Sequence, residues 1–504
     1  MTLVDQTEPA AQMTTRNPVD GSAVATYPVA GAAEVAATVA RARAGAEWWR
    51  GLSFADRRAH LLHWKSAIAQ RADELASVIA AETGKPHGDA VLEVMLTLGH
   101  LDWAAKHAKA TLKRRKVKAG LVNYNQHATV GYEPYGVVGV IGPWNYPFYT
   151  PMGSISYALA AGNAVVFKPS ELTPGPAAWI AERWAETVGH DVLTAVTGDR
   201  GTGAALVAAD VDKIAFTGST ATAKKVMAAA AERLTPIVAE CGGSDALLVA
   251  ADADLDAAAD FIVFGGMGNS GQTCAGVERV YVVESVRETL VSKVVDRARR
   301  LRTEGADAQY GPMTLPSQVD VVRRHVDDAM RSGTVVLGGA DSFRGRVIAP
   351  IVVTDVDERS DAVQEETFGP LVIINPVASL DEAVRRANAT AYGLTAAVFT
   401  RDTAAANRAA AALHVGAVSI NSVLGFAGVA ALPFGGVKGS GFGRIHGADG
   451  LREFSVVKSI ARQTRKAALN LLTMDRTEKD MHTAAKMIPM LHGRSKPPRH
   501  STAG

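Results

Sequence analysis

Cysteine is nearly absent from this 504-residue chain, which holds only Cys241 and Cys274. Two thiols exclude a disulfide framework and every zinc or iron–sulfur site that needs several cysteines, leaving a single bridge between them as the one covalent option. No His-Glu-x-x-His run occurs; His60 and His63 fall on one helix face but lack a third ligand, so no metal site is expected. Long apolar runs are missing too. Pieces such as Tyr135 to Tyr146 fall short of the ~18 residues a membrane span needs. Met1 to Ala10 carries Asp5 and Glu8 in place of a basic region followed by an apolar one, so no secretory leader is expected. A cytoplasmic location with reduced thiols is the matching expectation. Nor does one sign of charge dominate: 53 Lys/Arg face 51 Asp/Glu, a net +2, which argues against a nucleic-acid partner. The 47 Gly and 21 Pro have no period, which excludes collagen, and 47% hydrophobic with 21% charged residues is the composition of an ordinary globular protein.

What is present is alternation. The first hundred residues read as helical, with Ala32 to Trp49 rich in Ala and Arg and Asp56 to Gly84 keeping apolar residues at helical spacing. From Ala128 the texture changes. Strands are expected at 128–134, 136–141, 163–168, 193–197 and 213–216, with helices at 175–188, 202–210 and 223–233 between the later ones. A second α/β region from about 244 to 443 has strands expected at 246–249, 277–283, 347–353, 371–376, 396–400 and 417–421, and helices at 256–264, 286–301, 318–332 and 380–389. Alternating strands and helices predict doubly wound parallel sheets. The end of the chain departs in charge. Residues 455–504 hold ten Lys/Arg against three acids, leaving the rest of the chain with five more acids than bases. Met481 to Leu491 offers a short apolar face, to rest on a neighbouring subunit or, as the alternative, on an anionic membrane surface. The stretch from Arg494 has the composition of a disordered segment.

Several residues have chemistry open to them. Cys274 sits in Gly268-Asn269-Ser270-Gly271-Gln272-Thr273-Cys274, a loop better suited to exposing a thiol than to packing one. As a nucleophile it would need a pKa below the usual ~8.5; otherwise it is a small buried hydrophobe. Glu240 ends the apolar run Pro236 to Ala239, where desolvation would raise its pKa toward a general base's range. A paired structural glutamate is the alternative. Cys241 beside it reads as packing. Asn145, on the loop Pro143-Trp144-Asn145-Tyr146-Pro147, is either a rigid amide donor to an oxyanion or an ordinary turn residue. Thr217-Gly218-Ser219-Thr220 joins a strand to a helix and suits a pyrophosphate. Lys168 and Glu171 also follow a strand, where they can hold ribose hydroxyls.

The ordered set is far more specific than its members. Pro-Trp-Asn-Tyr-Pro at 143–147, Lys-Pro-Ser-Glu at 168–171, Phe-Thr-Gly-Ser at 216–219, Glu-Cys-Gly-Gly at 240–243, Gly-Gln-Thr-Cys at 271–274, Glu-Glu-Thr-Phe-Gly-Pro at 365–370 and Pro-Phe-Gly-Gly-Val-Lys-Gly-Ser-Gly at 433–441 resemble the aldehyde dehydrogenase superfamily in identity and order. The likeness runs from about Asn17 to Ser459. It implies an α/β fold with two doubly wound domains, one for the cofactor (1–111 and 135–243) and one catalytic (244–443). A small β bridging and oligomerisation element (112–134 and 455–475) and a basic tail (476–504) complete it, and a homodimer or homotetramer is implied.

The resemblance also implies roles. Cys274 attacks an aldehyde to form a thiohemiacetal, Asn145 and the Cys274 N–H hold its oxyanion, and Glu240 activates the water that hydrolyses the ensuing thioester to a carboxylic acid. Lys168, Glu171, Gly218, Ser219, Trp144, Glu366 and Phe368 take the cofactor positions. Tyr146 and Phe434 match positions lining the aldehyde tunnel. A carboxylate at Glu171 favours NAD, with NADP as the alternative. Two positions depart from the family pattern: Ala223 and Ser244 stand where glycine and lysine are usual. Loops near 100–103, 275–278 and 422–434 carry few charges apart from Asp102 and Glu278, and no arginine pair for a dicarboxylate semialdehyde. An aliphatic or aromatic aldehyde is therefore expected. The competing readings are a succinate-semialdehyde-type enzyme, a coenzyme-A-acylating enzyme, which would not want Glu240, and an inactive relative that binds without turnover.

Overall fold

A computed structural model describes residues 11–120, 122–305 and 307–493. Its contacts divide the chain into two units, one of residues 1–112 and 133–456, the other of 113–132 and 457–504. The composition-based expectation for the segment from Arg494 lies outside the described residues.

The larger unit holds two open sheets. In the first, the strands Ile237–Cys241, Lys213–Gly218, Val137–Ile141, Ala164–Lys168 and Leu193–Ala195 lie side by side in that order, all parallel, with the short strand Gly441–Phe442 antiparallel at one edge. The chain winds outward from Val137–Ile141 in one direction and returns through Lys213–Gly218 in the other. The crevice beyond the carboxyl ends of those two strands is therefore a topological switch point, where doubly wound sheets bind ligands. In the second sheet, Leu371–Val377, Val277–Val283, Asp245–Val249, Thr395–Phe399 and Ala417–Ile420 run parallel with Ile351–Thr354, and Thr334–Leu337 pairs antiparallel at the far edge. These strands are near-continuous Val, Ile, Leu and Ala because helices cover both faces. The expected α/β architecture is thus present.

Several boundaries differ for identifiable reasons. The first hundred residues are not wholly helical: Gln12–Arg16 and Ala23–Pro28 form an antiparallel hairpin whose turn closes on Gly21 at φ +75. The single helix expected over 56–84 is two, Phe54–Gln70 and Ala72–Thr83, broken at Arg71 and stopped by left-handed Gly84. The strand expected over 347–353 is interrupted at Ala349-Pro350, where proline has no N–H for a ladder. The helix expected from Ala223 begins at Thr220, because the Ser219 side chain caps the Thr222 N–H. The helix Tyr149–Ala161 has no sequence periodicity to betray it, since it is buried all round.

The smaller unit contains the antiparallel pair Arg115–Val117 and Val130–Ala128 and the helix Glu478–His492. Within it, the Thr464 N–H donates to the Asn125 carbonyl at 2.8 Å. Among the described residues no helix is long and apolar enough to cross a membrane.

Candidate active site

A cleft of about 840 Å³ opens at the switch point. Ten of the twelve residues singled out in the sequence line it: Trp144, Asn145, Lys168, Glu171, Gly218, Ser219, Glu240, Cys274, Glu366 and Phe368. Tyr146 and Phe434 do not. Tyr146 instead shares a 3.0 Å hydrogen bond with the Thr273 hydroxyl, next to Cys274. Phe434 is buried and stacked on Phe426, centroids 5.0 Å apart.

Cys274 is carried between the helix Leu255–Met267 and the strand Val277–Val283. Three successive residues ahead of it, Asn269, Ser270 and Gly271, adopt left-handed conformations at φ 52, 59 and 71. Two of these are not glycine, so the loop is strained and must be held. Asn269 donates to the carbonyls of Asn145 and Gln272 at 3.2 Å each, and the Ser270 hydroxyl donates to the Gly311 carbonyl. The Gln272 amide donates to the Asn269 carbonyl at 2.9 Å and accepts from the Thr314 N–H at 2.8 Å. Gly271 is required twice over: besides its φ, a Cβ there would lie 2.2 Å from the Gly369 backbone.

Asn145 is buried, and its amide donates to the Gln272 carbonyl at 2.9 Å. Its own carbonyl accepts from the Lys85 ammonium at 2.8 Å, and Lys85 is ion-paired with Glu93 at 2.8 Å in a wholly buried contact. The other Glu93 oxygen accepts from the N–H groups of Phe148 and Tyr149. A buried pair thus pins both ends of the 145–149 loop. Nothing in the local sequence marks Lys85 or Glu93: Lys85 lies in the loop 84–86 and Glu93 inside the helix His87–Leu112.

Glu240 ends the strand Ile237–Cys241. Both its carboxylate oxygens are buried without a hydrogen-bond partner among the described residues. Burial pushes its pKa up to about 7, and the Cys274 thiol and Thr217, close to the carboxylate but outside hydrogen-bond geometry, hold it partly back. This matches the direction expected. The Cys274 thiol is pushed well above the ordinary value by burial and then by the Glu240 and Glu366 carboxylates, the opposite of the lowering that a resting thiolate would need. The resting side chain is a thiol, and its proton needs an acceptor close by. Cys241 is free and buried, as is expected of a packing residue, and Cys274 is free as well.

The rest of the cleft suits an extended dinucleotide. Lys168, its ammonium 3.5 Å from the Glu171 carboxylate, lies at one end, Lys168 buried and Glu171 half exposed. Arg200, Gly203, Ala204 and Val207 form one face of the helix Arg200–Ala208, and Thr222, Lys225, Val226 and Ala229 one face of the helix Thr220–Ala231. Both stripes line the cleft, and the Ser219-capped N-terminus of the second helix is suited to a phosphate. Ala223 is buried and does not line the cleft, so its methyl group leaves the phosphate position clear. Toward Cys274, Glu366 accepts from the Gly243 N–H at 3.0 Å, and a Cβ at Gly242 would collide with it at 2.1 Å. Phe368, at φ 49, meets Trp144 edge-on at 5.5 Å, and the buried Glu278 accepts from its N–H at 2.8 Å. Ser244 is buried, with its carbonyl taking two bonds from Arg279.

Residues 4–460 match the family model described as "Aldehyde dehydrogenase family". The chain belongs to the aldehyde dehydrogenase family. It is 38% identical over 444 residues to a 4,4'-diapolycopene aldehyde oxidase of Methylomonas sp., covering 87% of this chain and 83% of that one. It is 35% identical to a putative NADP(+) succinate-semialdehyde dehydrogenase of Mycolicibacterium smegmatis, covering 88% and 87%. Among solved structures, an NAD-dependent aldehyde dehydrogenase of Sinorhizobium meliloti superposes with a TM-score of 0.87 at 32% identity, covering 92% of this chain and 93% of that one. The chain is thus an oxidoreductase of the nicotinamide-dependent aldehyde dehydrogenase class.

Proposed function

We propose that this enzyme oxidises an apolar aldehyde to its carboxylic acid, with NAD favoured over NADP. The observation that carries the reading is the convergence of Cys274, Glu240 and Asn145, from separate elements, on one dinucleotide-sized cleft. Glu240, poised near neutrality, takes the Cys274 proton. The thiolate sulfur bonds to the carbonyl carbon, and the oxygen, now negative, is held by the Asn145 amide and the Cys274 N–H. Lys168 and Glu171 hold the adenosine ribose, Gly218 and Ser219 the pyrophosphate, and Glu366, Phe368 and Trp144 the nicotinamide end. When bound, the cofactor supplies the two-electron acceptor that the oxidation needs. Glu240 releases that first proton to solvent and then takes another from water, whose oxygen attacks the Cys274 thioester. The carbon–sulfur bond breaks and the acid leaves.

Glu171 supports NAD, because a carboxylate accepts from a free 2′-hydroxyl and repels a 2′-phosphate. Tyr146 and Phe434 are proposed to face the aldehyde, among the aromatics Tyr149 and Phe426. Lys85, which packs 4.1 Å over the Tyr146 ring, is already neutralised by Glu93 and is not offered to a second carboxylate. The Methylomonas relative, named for a polyene aldehyde, agrees with this choice. The mycobacterial relatives, named for succinic semialdehyde, point the other way. The halves 1–111 with 135–243 and 244–443 are assigned to cofactor and catalysis, 112–134 with 455–475 to a bridge in a homodimer or homotetramer, and the location to the cytoplasm. NADH formation from hexanal, benzaldehyde and succinic semialdehyde, with Cys274→Ser as control, tests the reading. Turnover that survives the substitution overturns the nucleophile, and a much higher kcat/KM for succinic semialdehyde overturns the substrate class.

A further inference from the structure

The family match ends at residue 460, and 44 residues follow it. They hold nine Lys/Arg against three acids, and no acidic side chain occurs after Asp480. From Met481 onward the charged residues are Lys486, Arg494, Lys496 and Arg499. The three acids, Asp475, Glu478 and Asp480, flank or open the helix Glu478–His492. Thr477 and Asp480 form a reciprocal capping box there, so the acids serve the exposed N–H groups of the first turn.

None of the helix's residues is buried. Met481, Ala484, Ala485, Ile488 and Leu491 recur at the spacing of one helical face, while Lys479, His482 and Lys486 fall on the other side. Along that stripe Met481 is 48% exposed, Ile488 61% and Leu491 38%. An apolar stripe left in water marks a contact surface.

We propose that this helix and the basic run after it dock on an anionic phospholipid bilayer. A bilayer answers both halves of the pattern: hydrocarbon takes up the Met, Ile and Leu side chains, and phosphate headgroups take up the cations. Residues 1–460 carry four more acids than bases, so the body of the enzyme is repelled by the same surface. The tail is the point of contact, and the body stays in solution. The inference does not depend on which aldehyde is oxidised.

Co-sedimentation of the full-length enzyme with phosphatidylcholine vesicles, with and without phosphatidylglycerol, tests this. The expected result is binding at least roughly tenfold tighter when phosphatidylglycerol is present, and lost at high salt. Two variants separate the contributions: Met481→Glu with Ile488→Glu removes the stripe, and Arg494→Gln with Lys496→Gln and Arg499→Gln removes the charge. Each should weaken binding by about tenfold or more while leaving oxidation of a water-soluble aldehyde unchanged. No partition onto phosphatidylglycerol vesicles, or partition indifferent to both variants, overturns the proposal. So does dissociation of an oligomer by the Met481/Ile488 variant, which assigns the helix to a second copy of the chain.

Discussion

The side-chain amide of Asn145 donates to the carbonyl of Gln272, 2.9 Å away and two residues before Cys274. One hydrogen bond therefore fixes the amide relative to the thiol it would serve, and leaves the second amide hydrogen for an oxyanion. Asn145→Ala is expected to lower kcat by about two to three orders of magnitude, or ~3–4 kcal/mol, the usual loss for one oxyanion donor. Steady-state kinetics at saturating cofactor check this. A rate near wild type would remove Asn145 from the oxyanion site.

Burial raises the Glu240 carboxyl to about 7. As a base it acts only when ionised, so hydrolysis of the thioester should speed up as pH rises through about 7. Glu240→Gln should slow the first turnover as well as the steady state, since both the thiol and the water lose their base, with that pH dependence gone. The stability sign is opposite. The folded value lies above the ordinary 4.5, so the folded form holds a proton that the unfolded form has released, and stability falls as pH rises between about 4.5 and 7. The variant should escape that part of the fall, which Tm measured at pH 5 and pH 8 will show.

Lys85 and Glu93 are wholly buried and satisfy three backbone groups of the 145–149 loop. Lys85→Met leaves Glu93 a buried charge without its counter-ion and should cost about 3–5 kcal/mol of stability. Thermal unfolding reads the loss directly. Activity measured well below the lowered Tm should also fall, because the Asn145 carbonyl has lost a partner. A variant with unchanged Tm contradicts the burial.

Gly242→Ala places a methyl group 2.1 Å from the Glu366 carboxylate. The overlap should displace Glu366 at a cost of about 1–3 kcal/mol. Nicotinamide-cofactor affinity, followed by calorimetric titration, should weaken, while Gly31→Ala, where a methyl meets nothing within 4 Å, should leave affinity unchanged. Equal effects from both would detach Glu366 from the cofactor.

Glu171→Gln removes the negative charge beside Lys168. The ratio of NADP to NAD affinity should rise by roughly tenfold, the gain from removing one like-charge repulsion near a surface. No change in that ratio would mean that the cofactor preference is set elsewhere.

Sequence by itself determined the parts whose chemistry is local. Alternating apolar strands and capped helices fixed the α/β class, since buried parallel strands must be Val, Ile and Leu on both faces. The motifs around Asn145, Lys168, Gly218, Glu240, Cys274 and Glu366 were legible because phosphate turns and carboxylate–thiol chemistry need particular residues within a few positions of each other. The hairpin at 12–28, the breaks at Arg71 and Pro350, and the helix 149–161 were less legible, because burial on all sides erases periodicity and tertiary pairing overrides propensity.

Only the tertiary structure decided what depends on distance across the fold. Lys85 meets Asn145 across 60 residues of sequence, and Glu278 holds the Phe368 N–H across 90. The Cys274 loop could take its three left-handed residues only once Gly311, Thr314 and Gly369 had closed around it. The direction of the Cys274 shift was likewise settled by three dimensions. Glu240 and Glu366 lie 34 and 92 residues away in sequence, but folding set their carboxylates beside the thiol in a desolvated cleft, and a thiolate there meets both like charge and lost hydration.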